Sequence, residues 1–303
     1  MNLPLKGIIP PMITPLTENG ELDTEGLKRL VEHLISGGVH GIFLLGTNGE
    51  APSLTYALRK ELISKACKLI NRRVPVLVGI TDTSFEGSLD IANHSKDEGA
   101  DAVVVAPPYY FPISQEEMID YLENLIPASP LPVMMYNMPS CTKMHLSVET
   151  VKRAKELGAI GIKDSSGDIF YLYSLIDAFK KSPEFSIIAG TELYLPETII
   201  YGGHGAVAGG ANFFPKLFVD LYNASLTDDK VAIIELRDKV LKLYSTIYSV
   251  GNHVSRYTKG TKSALYAMGI CEDHMALPLR RFSDEGRDKI KNYVEEFKEI
   301  SVV

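Results

Sequence analysis

Ser147-Val148-Glu149-Thr150-Val151-Lys152-Arg153-Ala154-Lys155-Glu156-Leu157-Gly158, followed at once by Ala159-Ile160-Gly161-Ile162-Lys163-Asp164-Ser165-Ser166-Gly167, is the stretch that decides the fold. Ser147 has the side chain of a helix cap, and Gly158 ends the helix it opens. The segment after it is short, apolar and bounded by turn residues, which is how a buried strand reads. The same unit recurs outward in both directions. Candidate strands are residues 7–13, 41–46, 75–80, 102–106, 132–137, 160–165, 186–191 and 205–211. They are rich in Val, Ile, Leu and Met, as parallel strands covered on both faces are. Between the first two, Leu27, Leu30, Val31, Leu34 and Ile35 share one helical face, closed by Gly37-Gly38. Thr55 is placed to cap the next helix, and Ser114-Gln115-Glu116-Glu117 has capping-box spacing. Eight such alternations predict an α/β protein, a (β/α)8 TIM barrel. A doubly wound open sheet is the alternative, because strand order is not written in the sequence. From about Leu226 the strands cease, and residues 228–250, 255–269 and 283–299 read as a C-terminal three-helix extension. The chain thus divides into a barrel domain over 1–225, where any catalytic site is expected, and a helical extension over 226–303. Residues 236–248 carry enough Leu, Val, Ile and Tyr to pack on the barrel or on a neighbouring subunit.

Composition narrows the function. The chain has 303 residues, 45% of them apolar, and a net charge of −7, so it can bury a large core and lacks the basic balance that nucleic-acid binding needs. Cys67, Cys141 and Cys271 are scattered and odd in number, which fits a reducing, cytoplasmic setting rather than a disulfide framework. The first eleven residues hold one lysine, three prolines and no long apolar run, so neither a signal peptide nor a membrane span is expected there. The seven histidines lack ligand spacing, so no metal and no other cofactor is expected.

Chemistry on such a barrel belongs at the carboxyl ends of the strands. The second strand ends in Gly46-Thr47-Asn48-Gly49-Glu50, where two glycines let backbone N–H groups approach a small anion and Thr47 and Asn48 add donors. An ordinary tight turn reads the same way. The fourth strand ends in Pro107-Pro108-Tyr109-Tyr110-Phe111-Pro112, a stiff aromatic segment. In the fifth, Tyr136 shares a face with Met134, toward the barrel axis if Val133 and Met135 meet the helices. The sixth supplies Lys163. A buried amine tends to lose its proton and become a nucleophile toward carbonyl carbon. A lysine that reaches water or pairs with Asp164 is the other reading.

Gly46-Thr47-Asn48-Gly49-Glu50, Pro108-Tyr109-Tyr110, Tyr136-Asn137-Met138-Pro139 and Gly161-Ile162-Lys163-Asp164-Ser165, in this order, resemble the dihydrodipicolinate synthase / N-acetylneuraminate lyase family. The resemblance covers nearly the whole chain. It implies a homo-oligomer, a dimer or usually a tetramer, that handles pyruvate or a pyruvyl substrate through a lysine imine. Carried over, Lys163 forms the Schiff base, Tyr136 moves protons, and Thr47 relays between Tyr136 and Tyr110, a tyrosine lent by the adjacent subunit. Thr47 and Asn48 hold the substrate carboxylate, and Gly190, Glu192 and Ala208 are further substrate-binding candidates.

The departures bear on substrate. Synthases of this family carry an arginine two positions after the proline of the tyrosine motif, and here Cys141 stands there, a thiol in place of a bidentate cation. Asn48 replaces a threonine, and the turn resembles that of 4-hydroxy-2-oxoglutarate aldolases. Glu192 falls where neuraminate lyases place an acid that meets sugar hydroxyls; a carboxylate serving a helix N-terminus is the competing reading. The expectation is a lyase or aldolase making or breaking a C–C or C–O bond in a hydroxylated 2-keto acid. The alternative is a true 4-hydroxy-tetrahydrodipicolinate synthase condensing pyruvate with aspartate semialdehyde. A metal-dependent aldolase and a catalytically silent keto-acid sensor lack, respectively, a ligand cluster and a broken Lys–Tyr–Thr set.

Overall fold

The computed structural model describes residues 3–300. Eight strands run parallel: β1 Gly7–Ile8, β2 Ile42–Leu44, β3 Val76–Gly79, β4 Ala102–Val105, β5 Val133–Asn137, β6 Gly161–Asp164, β7 Ser186–Ala189 and β8 Gly205–Ala206. Each pairs with its sequence neighbour from β2 to β8, and β8 pairs with β1. The remaining seam, β1 to β2, decides between open sheet and barrel. It is closed: Met12 N donates to Phe43 O at 2.9 Å and Phe43 N to Pro10 O at 3.0 Å. The doubly wound alternative is thereby excluded. The regular part of β1 is shorter than the expected 7–13 because Pro10 and Pro11 offer no N–H to the ladder. At the β1–β8 seam Gly205 lies so close to β1 that an added Cβ would sit 2.0 Å from Gly7 O, with φ at 155°. Only glycine closes the barrel there.

Period-two alternation sorts the strand residues into two layers. Ile9, Phe43, Leu77, Val104, Met134, Tyr136, Ile188 and Val207 fill the lumen. Val103, Val105, Val133, Met135, Ile162 and Ile187 belong to the core between sheet and helices. The expected helix starts are present: Thr55 accepts from Leu58 N, Ser147 from Thr150 N, and Ser114 with Glu117 forms a reciprocal capping box.

The extension comprises helices Lys230–Ser245, Arg256–Ala267 and Asp284–Ile300. The first ends before the expected residue 250, because Thr246 leaves helical geometry (φ −119°, ψ −90°) and a short 3-10 turn, Ile247–Ser249, follows. Val240, Leu243, Ile247 and Tyr248 are buried, and the Tyr248 ring meets Phe213 at 6.0 Å. The apolar side of 236–248 thus packs on its own barrel. That docking brings tyrosines to the barrel mouth.

Candidate active site

Lys163 and Tyr136 are direct partners across the β5–β6 pair, so both side chains point into the lumen at its carboxyl end. Lys163 is only 5% exposed, and its Nζ lies 4.0 Å from the centre of the Tyr136 ring and 5.1 Å from that of Phe43. Asp164, one residue on, points the opposite way. Its carboxylate accepts from Asn137 Nδ2 at 2.8 Å and from Ser166 N and Oγ at 3.1 and 2.9 Å. The Lys163–Asp164 pair therefore does not form, and among the described residues no carboxylate pairs with Lys163. Burial pushes the Asp164 carboxyl up, against those hydrogen bonds.

The turn after β2 places Thr47 Oγ1 3.3 Å from the Tyr136 hydroxyl. Leu45 and Glu50, which flank it, both have left-handed backbones (φ 57° and 58°), the tightness that lets the turn fold over the lumen. Thr47, Asn48, Tyr136, Lys163, Gly190 and Glu192 all line one cavity of about 280 Å³. Glu192 is the one carboxyl group among the described residues of that lining. One oxygen accepts from Gly210 N at 2.8 Å, while the other has no hydrogen-bond partner. Burial pushes its carboxyl up to about 7, against the lowering influence of the nearby Gly210 and Gly209 amides and the Tyr244 hydroxyl. The glycine-rich turn after β8 thus serves the protein's own carboxyl group. Burial, then the charge of Glu192, raises the phenols of Tyr244 and Tyr248, which keeps them as O–H groups.

Two expected site residues lie elsewhere. Ala208 belongs to the outer core, because alternation along β8 gives the lumen to Val207, and Val207 and Gly209 line the cavity instead. Tyr110 is 82% exposed on the stiff segment after β4 and does not reach the cavity of its own chain. Its neighbour Tyr109, with Cys141, lines an adjoining cavity of about 130 Å³ that shares Thr47 and Tyr136 with the first. Conversely, Tyr244, Tyr248, Tyr257 and Thr258 of the extension line the main cavity. From sequence, the 236–248 stretch is expected only to pack. The signal was there: tyrosines in an otherwise aliphatic stripe keep a polar tip that must find a partner. Among the described residues no group of three or more His, Cys, Asp and Glu side chains could hold a metal ion. None of their helices is long and apolar enough to cross a membrane.

Comparison with known proteins agrees with this geometry. The dihydrodipicolinate synthetase family matches residues 4–297. The chain belongs to that family. It is similar to a solved dihydrodipicolinate synthase from Bacteroides thetaiotaomicron, 48% identical over 98% of this chain and 100% of that one, with a TM-score of 0.95. YagE of Escherichia coli K12, a prophage protein solved in complex with pyruvate, is 30% identical over 97% and 99% of the two chains, TM-score 0.91. The probable 2-dehydro-3-deoxy-D-pentonate aldolase YjhH of E. coli K12 is 32% identical over 94% of each chain. The chain is accordingly a lyase of the dihydrodipicolinate synthetase family, a group that includes both synthases and aldolases of deoxy sugar acids.

Proposed function

We propose that the protein cleaves a hydroxylated 2-keto acid, a 2-keto-3-deoxy sugar acid, into pyruvate and a hydroxyaldehyde through an imine on Lys163. Lys163 Nζ attacks the C2 carbonyl, and water leaves as the imine forms, with Tyr136 returning the protons. Loss of the proton from the C4 hydroxyl breaks the C3–C4 bond and releases the aldehyde. Its electron pair flows into the iminium, leaving an enamine that takes a proton at C3 and is hydrolysed to pyruvate. Thr47 and Asn48 hold the substrate carboxylate, and Thr47 keeps the Tyr136 hydroxyl oriented. Tyr110, on an exposed segment, acts from one copy on the site of another in a homo-oligomer. Turnover requires no metal or other cofactor, and the cytoplasm is the compartment that suits three free cysteines.

The observation that carries the substrate class is the make-up of the cavity's lining. It includes Glu192, Tyr244, Tyr248, Tyr257 and Thr258, and Lys163 is the one cation among the described lining residues. Hydroxyl groups of a sugar chain find donors and acceptors there, whereas the carboxylate of aspartate semialdehyde finds no guanidinium, Cys141 being in the adjoining cavity. The names of YjhH and YagE, both given as 2-dehydro-3-deoxy sugar acid aldolases, support the same class. The test is a panel: pyruvate with glyceraldehyde, glycolaldehyde, glyoxylate, N-acetylmannosamine and aspartate semialdehyde. It is read beside borohydride trapping of pyruvate on the wild type and on Lys163→Ala. Rapid turnover with aspartate semialdehyde would overturn the substrate class, and a pyruvate adduct surviving in Lys163→Ala would overturn the imine.

A further inference from the structure

Glu50 closes the carboxylate-binding turn, yet its own side chain faces away from the cavity and into the protein. One oxygen lies 2.5 Å from Lys262 Nζ, both side chains being 0% exposed, and the other accepts from Ala276 N at 2.8 Å. Lys262 Nζ also donates to His274 O at 2.5 Å. The helix that carries Lys262, Arg256–Ala267, touches the same turn a second time, where Thr258 Oγ1 donates to Asn48 Oδ1 at 3.4 Å. We infer that the buried Glu50–Lys262 pair is a positioning clamp, which locks the turn bearing Thr47 and Asn48 to the C-terminal extension so that their donors stand ready for the substrate carboxylate.

Stability alone is a poor reason for this pair. Desolvating two charges offsets most of their attraction, and well-packed apolar replacements are often as stable. What an ion pair with further hydrogen bonds supplies is direction. The turn needs it, because two of its five residues are glycines and Glu50 sits in a left-handed conformation that few side chains favour. Donors that must meet a carboxylate at fixed geometry act best when held in place before binding. The clamp also explains why a barrel with its lumen already closed keeps a helical extension stapled to its mouth. Glu50 and Lys262 are positioning residues, since neither lines the cavity.

This inference rests on the proposed imine chemistry for its kinetic readout, and a second readout is independent of it. The double variant Glu50→Gln/Lys262→Met strands no buried charge. It should raise the pyruvate concentration for half-maximal borohydride trapping about tenfold or more, with the trapping rate at saturation within about threefold of wild type. Amide hydrogen exchange in the peptide covering residues 46–50 should accelerate by a similar factor. Arg237→Met, which breaks the Glu197–Arg237 pair between the first helix of the extension and the barrel, should leave both readouts at wild-type values while lowering the melting temperature. Unchanged exchange in the double variant overturns the clamp, as does accelerated exchange without any loss of pyruvate affinity. If the wild type itself fails to trap pyruvate, the imine reading falls and the exchange comparison alone decides the clamp. Should the double variant not fold, Glu50→Gln/Lys262→Gln, which likewise strands no buried charge and keeps a polar tip at each position, is read against the same two outcomes.

Discussion

Glu192→Gln isolates one buried carboxyl group, and its consequence is calculable. In the unfolded chain Glu192 titrates near its ordinary 4.5; in the fold, burial pushes it up to about 7. The folded protein therefore holds a proton that the unfolded chain has already released between those values. The associated stability is fully present below pH 4.5 and is lost as the pH rises through about 7. At 1.36 kcal/mol per pH unit the span amounts to about 3 kcal/mol. Glutamine copies the neutral form: its oxygen still accepts from Gly210 N and its amide stands where the acid's O–H was. Urea unfolding of wild type and variant, measured from pH 4 to pH 9, should give a stability difference that is level below pH 4.5. The difference should move by about 3 kcal/mol in favour of glutamine by pH 8 and then level again. All other titrating groups cancel between the two proteins. A difference that stays flat from pH 5 to pH 9 would refute the account, because it would mean that the carboxyl group is ionised throughout. The same transition should mark substrate affinity: a neutral Glu192 donates to a sugar hydroxyl, while its anion only accepts.

Tyr136→Phe should lower kcat by roughly 10²–10⁴, the range of a lost general acid–base, while leaving the chain folded, and steady-state kinetics with circular dichroism will check it. A variant at wild-type rate would remove Tyr136 from proton transfer. Arg59→Met should cost about 3–5 kcal/mol of unfolding free energy, because it leaves Asp82 buried without its 3.0 Å partner. Burial alone would raise Asp82; donors from Ser84, Tyr56 and Arg59 outweigh it and hold the carboxyl below its usual value. The stability that depends on this pair is present above pH 3.8 and lost as pH falls below it, so the Arg59→Met deficit should shrink in acid. Prolonged treatment with EDTA should leave turnover unchanged, and recovery of lost activity by an added divalent cation would contradict the metal-free scheme.

Much of this protein is legible in the order of its residues. Caps such as Ser114, Ser147 and Thr55 act through atoms three residues away, so local sequence suffices to place the helices they open. The alternation Val133-Met134-Met135-Tyr136 groups Tyr136 with Met134 because a strand's period is two, and the packing of Val133 and Met135 against the helices makes that shared face the lumen. Lys163 stands out as an amine at the end of an apolar strand, but its assignment as the Schiff-base lysine rests on the family resemblance.

Other features were settled only by long-range packing. The closing of β1 on β2, the 4.0 Å approach of Lys163 Nζ to the Tyr136 ring and the raised titration of Glu192 all depend on segments distant along the chain. So does the contribution of Tyr244, Tyr248 and Tyr257, whose helices read locally as plain amphipathic cover. The position of Ala208 in the outer core has the same origin, for a one-residue difference in register exchanges lumen for outer core. Local chemistry determines which elements form and which face each presents. Distances between groups, and hence burial, proton affinity and site membership, belong to the closed barrel with its extension docked across the mouth.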